Sequence, residues 1–502
     1  MLFNSIEFAI FFVIVTSLYF ILPHKFRWLL LLISSFVFYM AFLPIYVLIL
    51  LITIVVDYYA GICIENSKGR NRKLFLILSL IANIGFLCFF KYYDFFVINI
   101  NSLLSVHLPL LKELGISNWI IRYNNIINPV INNFFGTDLA ILRNIALPIG
   151  LSFHTFQAMS YTIEVYRGKQ KAERHFGIYA LYVMFYPQLV AGPIERPQNV
   201  LHQFHEKHYF DYDRLVSGLK LMLVGLFKKV VIADRLSLYV DSIYGNVEQH
   251  SGISLIVATV FFAIQIYCDF SAYSEMAIGA ARTMGFELMT NFKRPYFSKN
   301  ISEFWRRWHI SLSTWFTDYL YISLGGSRVS VPKWFFNLFF VFLVSGFWHG
   351  ANWTFIVWGA INGFYLVAAI IINKQKQRLK ELLGIKRKVF SSPFLHIITT
   401  FLLSCFAWLF FRANSLSDAF IIIRKIFNLK GSLYISSPVE MAYCILGIAL
   451  LISMEVKNEY FPNSFSLLYN DSPIIRNFSS AIILIIIFLI GANGGQFIYF
   501  QF

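Results

Sequence analysis

The segment VSGFWHGANWTFIVWG, residues 344–359, decides the fold class because it places a histidine, His349, within an apolar run of membrane length. An ionisable side chain is costly in hydrocarbon, so we expect His349 to face the protein interior or a wet cavity and to be functional. Small neighbours such as Gly346 allow backbones or a substrate to approach closely. We expect Trp348 and Trp353 to form rigid walls beside the histidine. The segment therefore predicts a catalytic histidine inside a membrane.

The composition agrees with a membrane setting. Of 502 residues, 58% are hydrophobic and 14% are charged, whereas soluble domains are about one quarter charged. We predict an all-α, polytopic membrane protein with roughly 11–13 spans, some re-entrant or interfacial, because many runs approach the ~20 residues that cross a bilayer. No internal repeat or linker divides the chain, which predicts a single domain over 1–502. The predicted spans lie near 6–22, 28–43, 44–60, 74–97, 145–163, 176–191, 216–234, 252–281, 333–349, 352–373, 394–411, 439–455 and 473–490.

The basic residues explain the net charge of +16 without nucleic acid. They cluster in short connections, at 68–73, 167–174 and 374–388, which is the pattern of cytoplasmic loops. Through residue 174 these clusters fall on alternate connections, which predicts an outside N-terminus and an outside loop at 98–142. We therefore expect the basic residues to set the orientation of the spans in the membrane and to contact anionic lipids. We expect no nucleic-acid partner.

A second chemical segment is KRPYFSKNISEFWRRWHISLSTWFTDYLYISLGG, residues 293–326. The pattern predicts one helix over 302–320, with an aromatic face and a neighbouring polar stripe. Such a helix suits the membrane–water boundary. His309 on its stripe is then either a solvated residue of an interfacial anchor or a site residue. The aromatic face carries Trp305, Trp308, Leu312 and Trp315, and the stripe carries Arg306, His309 and Ser313.

Two histidines, one interfacial and one intramembrane, suggest base chemistry. A neutral imidazole can take a proton from a hydroxyl nucleophile near neutral pH, and burial favours that neutral form. The sequence contains no GxSxG, P-loop, HExxH or GxGxxG motif. Its five cysteines have no metal-ligand spacing, so we expect no metal site.

Several charged residues have two interpretations. Asp269 follows Gln265 on one helical face within IQIYCDFSAYSE, and it is either a member of a structural ion pair or a site-lining carboxylate. Glu195 and Arg306 either line a polar entry or fix loops.

The motifs of this chain resemble the membrane-bound O-acyltransferases, specifically the bacterial alginate O-acetyltransferase-like branch. The resemblance covers nearly the whole chain, with its motif core at about 147–363. Ala272 and Glu275 depart from the residues common in that branch, which leaves the polymer open. The motifs are LPIGLSFHTFQAMSYTIEVYRG (147–168), QLVAGPIERP (188–197), GLFKKVVIADRL (225–236), IQIYCDFSAYSEMAIG (264–279), FWRRWHISLS (304–313), SGFWHGANW (345–353) and FIYFQF (497–502).

The resemblance implies acyl transfer to a hydroxyl inside a helical ring that encloses a funnel or tunnel. His349 matches the signature histidine and is the expected catalytic base, with a covalent acyl-histidine intermediate as the alternative. His309 matches the second histidine of the family and is expected to orient donor or acceptor. The other expected site-lining residues are Asp269, Arg306, Trp305, Trp348, Asn352 and Glu195.

The resemblance also implies partners and a location. We expect a multi-pass protein of the inner (cytoplasmic) membrane that takes an acyl group from acetyl-CoA, with no bound cofactor. An extracytoplasmic SGNH-hydrolase-like transferase would pass that group to a surface polysaccharide. D-alanyl transfer and peptidoglycan O-acylation stay open as alternatives. A polymer or solute transporter is the competing class, although its usual related halves are not visible in the sequence.

Overall fold

The computed structural model describes residues 1–42, 44–107, 148, 150–190, 192–382, 392–463, 468, 470, 472–492 and 497–498, with the backbone alone at 101–107 and 379–381. The predicted outside loop lies largely outside the described residues, as do the end of the basic run at 374–388 and most of the terminal FIYFQF motif.

The described residues form helices joined by short connections and contain no β-strand. Short 3-10 helices lie at Pro44–Tyr46, Leu201–Phe204 and Pro295–Phe297, and π-helical turns at Cys88–Tyr92, Lys228–Ala233 and Thr317–Tyr321. The α-helices are α1 (Ile6–Ile21), α2 (His24–Met40), α3 (Val47–Asn66), α4 (Gly69–Leu87), α5 (Tyr93–His107), α6 (Leu151–Arg167), α7 (Phe176–Met184), α8 (Tyr186–Leu189), α9 (Pro197–Val200), α10 (Tyr212–Phe227), α11 (Asp234–Tyr244), α12 (Gly252–Met284), α13 (Ile301–Arg307), α14 (Ile310–Phe316), α15 (Val331–His349), α16 (Trp353–Leu382), α17 (Pro393–Arg412), α18 (Leu416–Asn428), α19 (Pro438–Tyr460) and α20 (Pro473–Ile490).

The predicted class is confirmed: this is an all-α, polytopic membrane protein. Within the described residues, eight helices are long and apolar enough to cross a membrane. The hydrophobic runs also located most helices, including the span predicted at 473–490, which is α20.

The span predicted at 176–191 is wrong as a single helix. It consists of α7 and α8, separated at Phe185, whose ψ of 111° leaves the helical region. The break precedes Pro187, in the first turn of α8. Proline has no backbone N–H and tolerates only the first turn of a helix, which explains why the chain restarts there.

The chain folds into two compact units, one of residues 1–42 and 175–502 and the other of residues 43–174. The smaller unit is held by buried polar contacts between its helices. Ser79 and Asn83 of α4 donate hydrogen bonds to Asp57 of α3 at 2.6 and 2.8 Å. Thr53 Oγ1 and His154 Nε2 are 2.6 Å apart. Hydrogen bonds of this kind compensate for burying polar groups between apolar helices.

The larger unit packs around α12, whose side chains are buried along almost its whole length. Small residues let α10 approach it closely. A Cβ on Gly279 would lie 2.6 Å from the carbonyl oxygen of Gly218, and one on Gly225 would lie 2.7 Å from that of Ala272. Close approach through small residues is a common way for membrane helices to associate.

Glycines also bring α15 and α16 together within residues 344–359. A Cβ on Gly346 would lie 2.3 Å from the carbonyl oxygen of Phe355 and 3.0 Å from the Cα of Gly359. The expected role of Gly346, to allow close backbone approach, is thereby confirmed. This crossing fixes the C-terminal end of α15, where His349 lies.

We predict that Gly346→Ala destabilises the protein because the new methyl group overlaps with backbone atoms that cannot rotate away. Overpacking of this kind costs about 1–3 kcal/mol, so the unfolding temperature in detergent should fall. Gly85→Ala is the matched control, since a Cβ there meets nothing within 4 Å. Equal unfolding temperatures for the two variants would contradict the close crossing.

Candidate active site

His349 is the last residue of α15 and is buried. Its imidazole lies among three aromatic rings, with centroid separations of 4.9 Å to Trp348, 5.1 Å to Trp358 and 5.4 Å to Phe411. Trp348 therefore flanks the histidine as expected. Trp353 is 49% exposed, and its role as a wall stays a prediction. The indole of Trp358, further along α16, packs perpendicular to the imidazole.

His309 lies at a break that the sequence pattern did not reveal. The predicted continuous helix over 302–320 is wrong: α13 ends at Arg307 and α14 begins at Ile310. His309 itself has a φ of 42°, in the left-handed region. Non-glycine residues are uncommon there, although histidine is among the more tolerant, and such conformations concentrate at functional sites.

The break is stabilised by a second segment of chain. The N–H of Ile310 donates to the carbonyl oxygen of Asn291 at 2.9 Å, and the N–H of Ser311 donates to Asn291 Oδ1 at 3.1 Å. On the other side of the break, the N–H of Lys293 donates to the Arg307 carbonyl at 2.9 Å. These external partners replace hydrogen bonds that a continuous helix would have made internally.

His309 is buried, with 1% of its surface exposed, so the alternative of a solvated histidine on an interfacial anchor is wrong. Its ring packs edge-on against Phe270 at 4.5 Å and nearly parallel to Phe292 at 6.4 Å. Burial lowers the pKa of His309 from 6.5 to about 3. The imidazole is therefore neutral at physiological pH, as a base or a hydrogen-bonding group requires.

A continuous set of rings runs from one histidine to the other. Beyond Phe292 the centroid separations are 5.2 Å to Trp308, 4.9 Å from Trp308 to Trp408, and 5.7 Å from Trp408 to Trp358, which contacts His349. We call these four residues, Phe292, Trp308, Trp408 and Trp358, the aromatic layer. The two histidine segments, 40 residues apart in sequence, thus belong to one packed region.

A cavity of about 320 Å³ adjoins this region. Ligand sites typically begin near 300 Å³. Trp305 and Arg306 both line it, as the sequence analysis expected of site-lining residues. Ser345 of α15, one helical turn before His349, also forms part of its wall. The two histidines are not among its lining residues, and Trp305 connects the cavity to the aromatic layer through its contact with Trp358. The lining also includes the hydroxyl-bearing residues Ser302, Ser313, Thr314, Thr317 and Tyr321.

Asp269 takes part in a buried ion pair. Lys229 Nζ lies 2.8 Å from a carboxylate oxygen of Asp269 and 2.8 Å from one of Asp234. The second oxygen of Asp269 accepts the backbone N–H of Ile498 at 2.7 Å. The structural interpretation of Asp269 accounts for these contacts. The next residue of α12, Phe270, contacts His309, and a site-lining role for Asp269 stays a prediction.

Glu195 and Asn352 make structural hydrogen bonds. Buried Glu195 accepts hydrogen bonds from the N–H of Met289 and from Asn199 Nδ2, and burial raises its pKa to about 7. Asn352 accepts the Thr354 N–H at 3.1 Å at the start of α16 and donates to the carbonyl oxygen of Asn414 at 3.1 Å. Neither residue lines the cavity, and a direct role for either in catalysis stays a prediction.

The two members of the aromatic layer outside the histidine segments, Phe292 and Trp408, were not predicted from the sequence, and neither was Asn291. Trp408 lies in CFAWLFFRA (405–413) and Phe292 in the loop before Pro295. Their aromatic side chains indicate a role in packing, but no spacing in the sequence relates the two residues to His309 or His349. An aromatic residue between two histidine-bearing segments is recognisable only once the fold is known.

Comparison with known proteins places this region in a family context. A model of the membrane-bound O-acyltransferase family matches residues 174–412, which contain both histidines. A probable alginate O-acetylase of Pseudomonas aeruginosa is 36% identical over 431 residues, covering 85% of this chain and 75% of that protein. A peptidoglycan O-acetyltransferase of Helicobacter pylori is 34% identical over 432 residues, covering 80% and 74%. A teichoic acid D-alanyltransferase of Bacillus subtilis is 25% identical over 284 residues, covering 54% and 70%.

We predict that Lys229→Met strongly destabilises the protein because it leaves the carboxylates of Asp234 and Asp269 buried without this cation. Breaking a buried pair typically costs about 3–5 kcal/mol, and the unfolding temperature in detergent measures the loss. Arg174→Met is the control, since its ion pair with Glu65 is largely exposed and such pairs contribute about 0–1 kcal/mol. Similar unfolding temperatures for both variants would contradict a structural role for the buried cluster.

Proposed function

The chain belongs to the membrane-bound O-acyltransferase family and is an acyltransferase, and from this premise we propose a more specific function. The proposed function is to supply acetyl groups for O-acetylation of an extracytoplasmic polysaccharide. The proposed donor is a cytoplasmic thioester, acetyl-CoA. The membrane separates a thioester made inside from a polymer outside, so an enzyme embedded between them can pass the acyl group across. The location proposed for it is the inner membrane.

The relatives favour acetyl over D-alanyl as the acyl group. Relatives that match most of this chain include proteins named as a probable alginate O-acetylase and a peptidoglycan O-acetyltransferase. The D-alanyltransferase matches about half of the chain at lower identity. A hydroxyl group of a glycan fits the names of both O-acetylating relatives. We therefore propose a class of acceptor, the polysaccharides, and name no single polymer. The transporter alternative gains no support from these relatives.

We assign His349 as the general base, and its surroundings support that role. The rings of Trp348, Trp358 and Phe411 pack against the imidazole, which is buried from bulk water. In the reaction, its nitrogen takes the proton of the acceptor hydroxyl as the oxygen adds to the thioester carbonyl carbon. The carbonyl electron pair then re-forms the double bond, the carbon–sulfur bond breaks, and the leaving thiolate receives the proton.

His309 is proposed to orient the donor or the acceptor. Its left-handed backbone conformation costs free energy, and the loop containing Asn291 holds it in place. The aromatic layer between the histidines would also exclude water, which protects a thioester from hydrolysis. An acyl-histidine intermediate stays the alternative to direct transfer, because imidazole is itself a nucleophile. Acid quenching of the protein with labelled donor, followed by mass spectrometry, distinguishes the two routes.

The partner proposed from the resemblance is an extracytoplasmic SGNH-hydrolase-like transferase. Such a partner would accept the acyl group at the outer face and modify the polymer. The support for this partner is the family resemblance alone.

We predict that His349→Ala reduces O-acetylation to the level of a deletion strain, because general-base catalysis contributes about 10²–10⁴-fold in rate. The measurement is the ester content of surface polysaccharide in a deletion strain complemented with wild type or variant, at matched membrane abundance. His202→Ala is the control, since that histidine is exposed and lies outside the candidate site. Full restoration of ester by His349→Ala would overturn the assignment of His349 as base.

A further inference from the structure

The last turn of α19 carries a carboxylate that joins two segments of chain next to the break at His309. Glu459 Oε2 accepts a hydrogen bond from Arg294 Nε at 2.6 Å, and Glu459 Oε1 accepts one from Arg307 Nη1 at 2.8 Å. Arg294 lies in the loop before α13, and Arg307 is the last residue of α13. One side chain of a distant helix therefore connects both segments. We call Glu459, Arg294 and Arg307 the carboxylate clamp.

The clamp compensates for positive charges that the backbone brings together. The N–H of Lys293 donates to the carbonyl oxygen of Arg307 at 2.9 Å, which pairs the two segments. The guanidinium groups of Arg294 and Arg307 then meet at one carboxylate, and like charges at short separation repel each other. Glu303 offsets part of this charge, because it accepts a hydrogen bond from Arg307 Nη2 at 2.7 Å. Two carboxylates thus balance two guanidinium groups in one partly buried cluster.

The clamp fixes one side of the break at His309, and the loop before α13 fixes the other. Arg307 is attached to the clamp, and Ile310 donates its N–H to the carbonyl oxygen of Asn291. Between these two attachments the chain consists only of Trp308 and His309. The placement of both rings therefore depends on where the two attachments lie.

Backbone conformation gives a second reason to connect the clamp with His309. Arg294 has a φ of 46° and His309 has a φ of 42°, so both lie in the left-handed region. Such residues persist only where the surrounding contacts determine their conformation. The side chain of Arg294 makes its contact within the clamp, and the chain next to His309 is held by Arg307.

We propose that Glu459 is a positioning residue for His309. It contacts the two arginines and acts on the histidine only through them, by holding the break in the conformation that acyl transfer requires. This inference rests on the proposed function. Without the charge of Glu459 the arginines repel each other, the two segments separate, and the short piece of chain that carries His309 shifts. A displacement of about 1 Å within a site can cost about 100-fold in rate.

The test removes the charge of Glu459 and keeps the shape of its side chain. Glu459→Gln does so, and Glu440→Gln is the matched control because Glu440 lies in the first turn of the same helix and pairs with Arg235. Glu459→Asp replaces Glu459→Gln if that variant does not accumulate, since the shorter side chain cannot reach both arginines.

The first readout is transfer of label from radioactive acetyl-CoA to polysaccharide in membranes of the complemented deletion strain. We expect Glu459→Gln to lower kcat by at least about tenfold, and Glu440→Gln to stay close to the wild type. Adding Arg294→Gln to Glu459→Gln removes one of the repelling charges and should restore part of the lost rate. A loss of rate that Arg294→Gln makes worse would contradict a clamp that works by neutralising charge.

The second readout is the reaction of histidines with diethyl pyrocarbonate, followed by mass spectrometry. His309 is 1% exposed and should be protected in the wild type, as should His154, which is equally buried in the smaller unit. We expect Glu459→Gln to increase the modification of His309 and to leave His154 protected. Increased modification of both histidines would indicate general unfolding and overturn the positioning role.

The two readouts also separate this inference from the proposed function. Wild-type kcat and a protected His309 in Glu459→Gln, with His349→Ala inactive, would overturn the inference and leave the proposed function standing. Activity in His349→Ala, or no transfer of label by the wild type, would instead contradict the proposed function.

Discussion

The packing of aromatic rings around two buried histidines is the constraint on which the candidate site depends. His349 ends α15 and His309 sits between α13 and α14, so no single helix positions both. Contacts through Phe292, Trp308, Trp408 and Trp358 join the two segments. Large rings bury much apolar area and pack in defined geometries, which suits them to hold polar side chains in fixed places.

Two further features make this packing feasible. Gly346 and Gly359 let α15 and α16 cross closely, which holds the C-terminal end of α15 against α16. The loop around Asn291 supplies the hydrogen bonds that allow the chain to break at His309. With the helix interrupted, Trp308 can join the aromatic layer while the next residue, His309, contacts Phe270. The cavity that Trp305 connects to this packing is lined by apolar side chains together with Arg306 and several hydroxyl-bearing residues.

Much of the fold was predictable because apolar runs of membrane length predict helices that are surrounded by lipid and protein. The run at 473–490 gave both ends of α20 correctly. Local patterns failed where distant residues decide the conformation. The periodicity over 302–320 predicts one helix, and its interruption is explained by the hydrogen bonds that Ile310 and Ser311 donate to Asn291. In the same way, His349 was identifiable as an ionisable residue in an apolar run, whereas its contact with Trp358 depends on how α15 and α16 cross.

The most direct test of the account is a cryo-EM structure of the protein in lipid nanodiscs with a non-hydrolysable thioether analogue of acetyl-CoA. We predict that the acyl group lies in the region bounded by His309, His349 and the aromatic layer, with its carbonyl carbon accessible to a hydroxyl held by His349. An acyl group bound away from both histidines, with the aromatic layer unchanged, would contradict the claim that they form one acyl-transfer site.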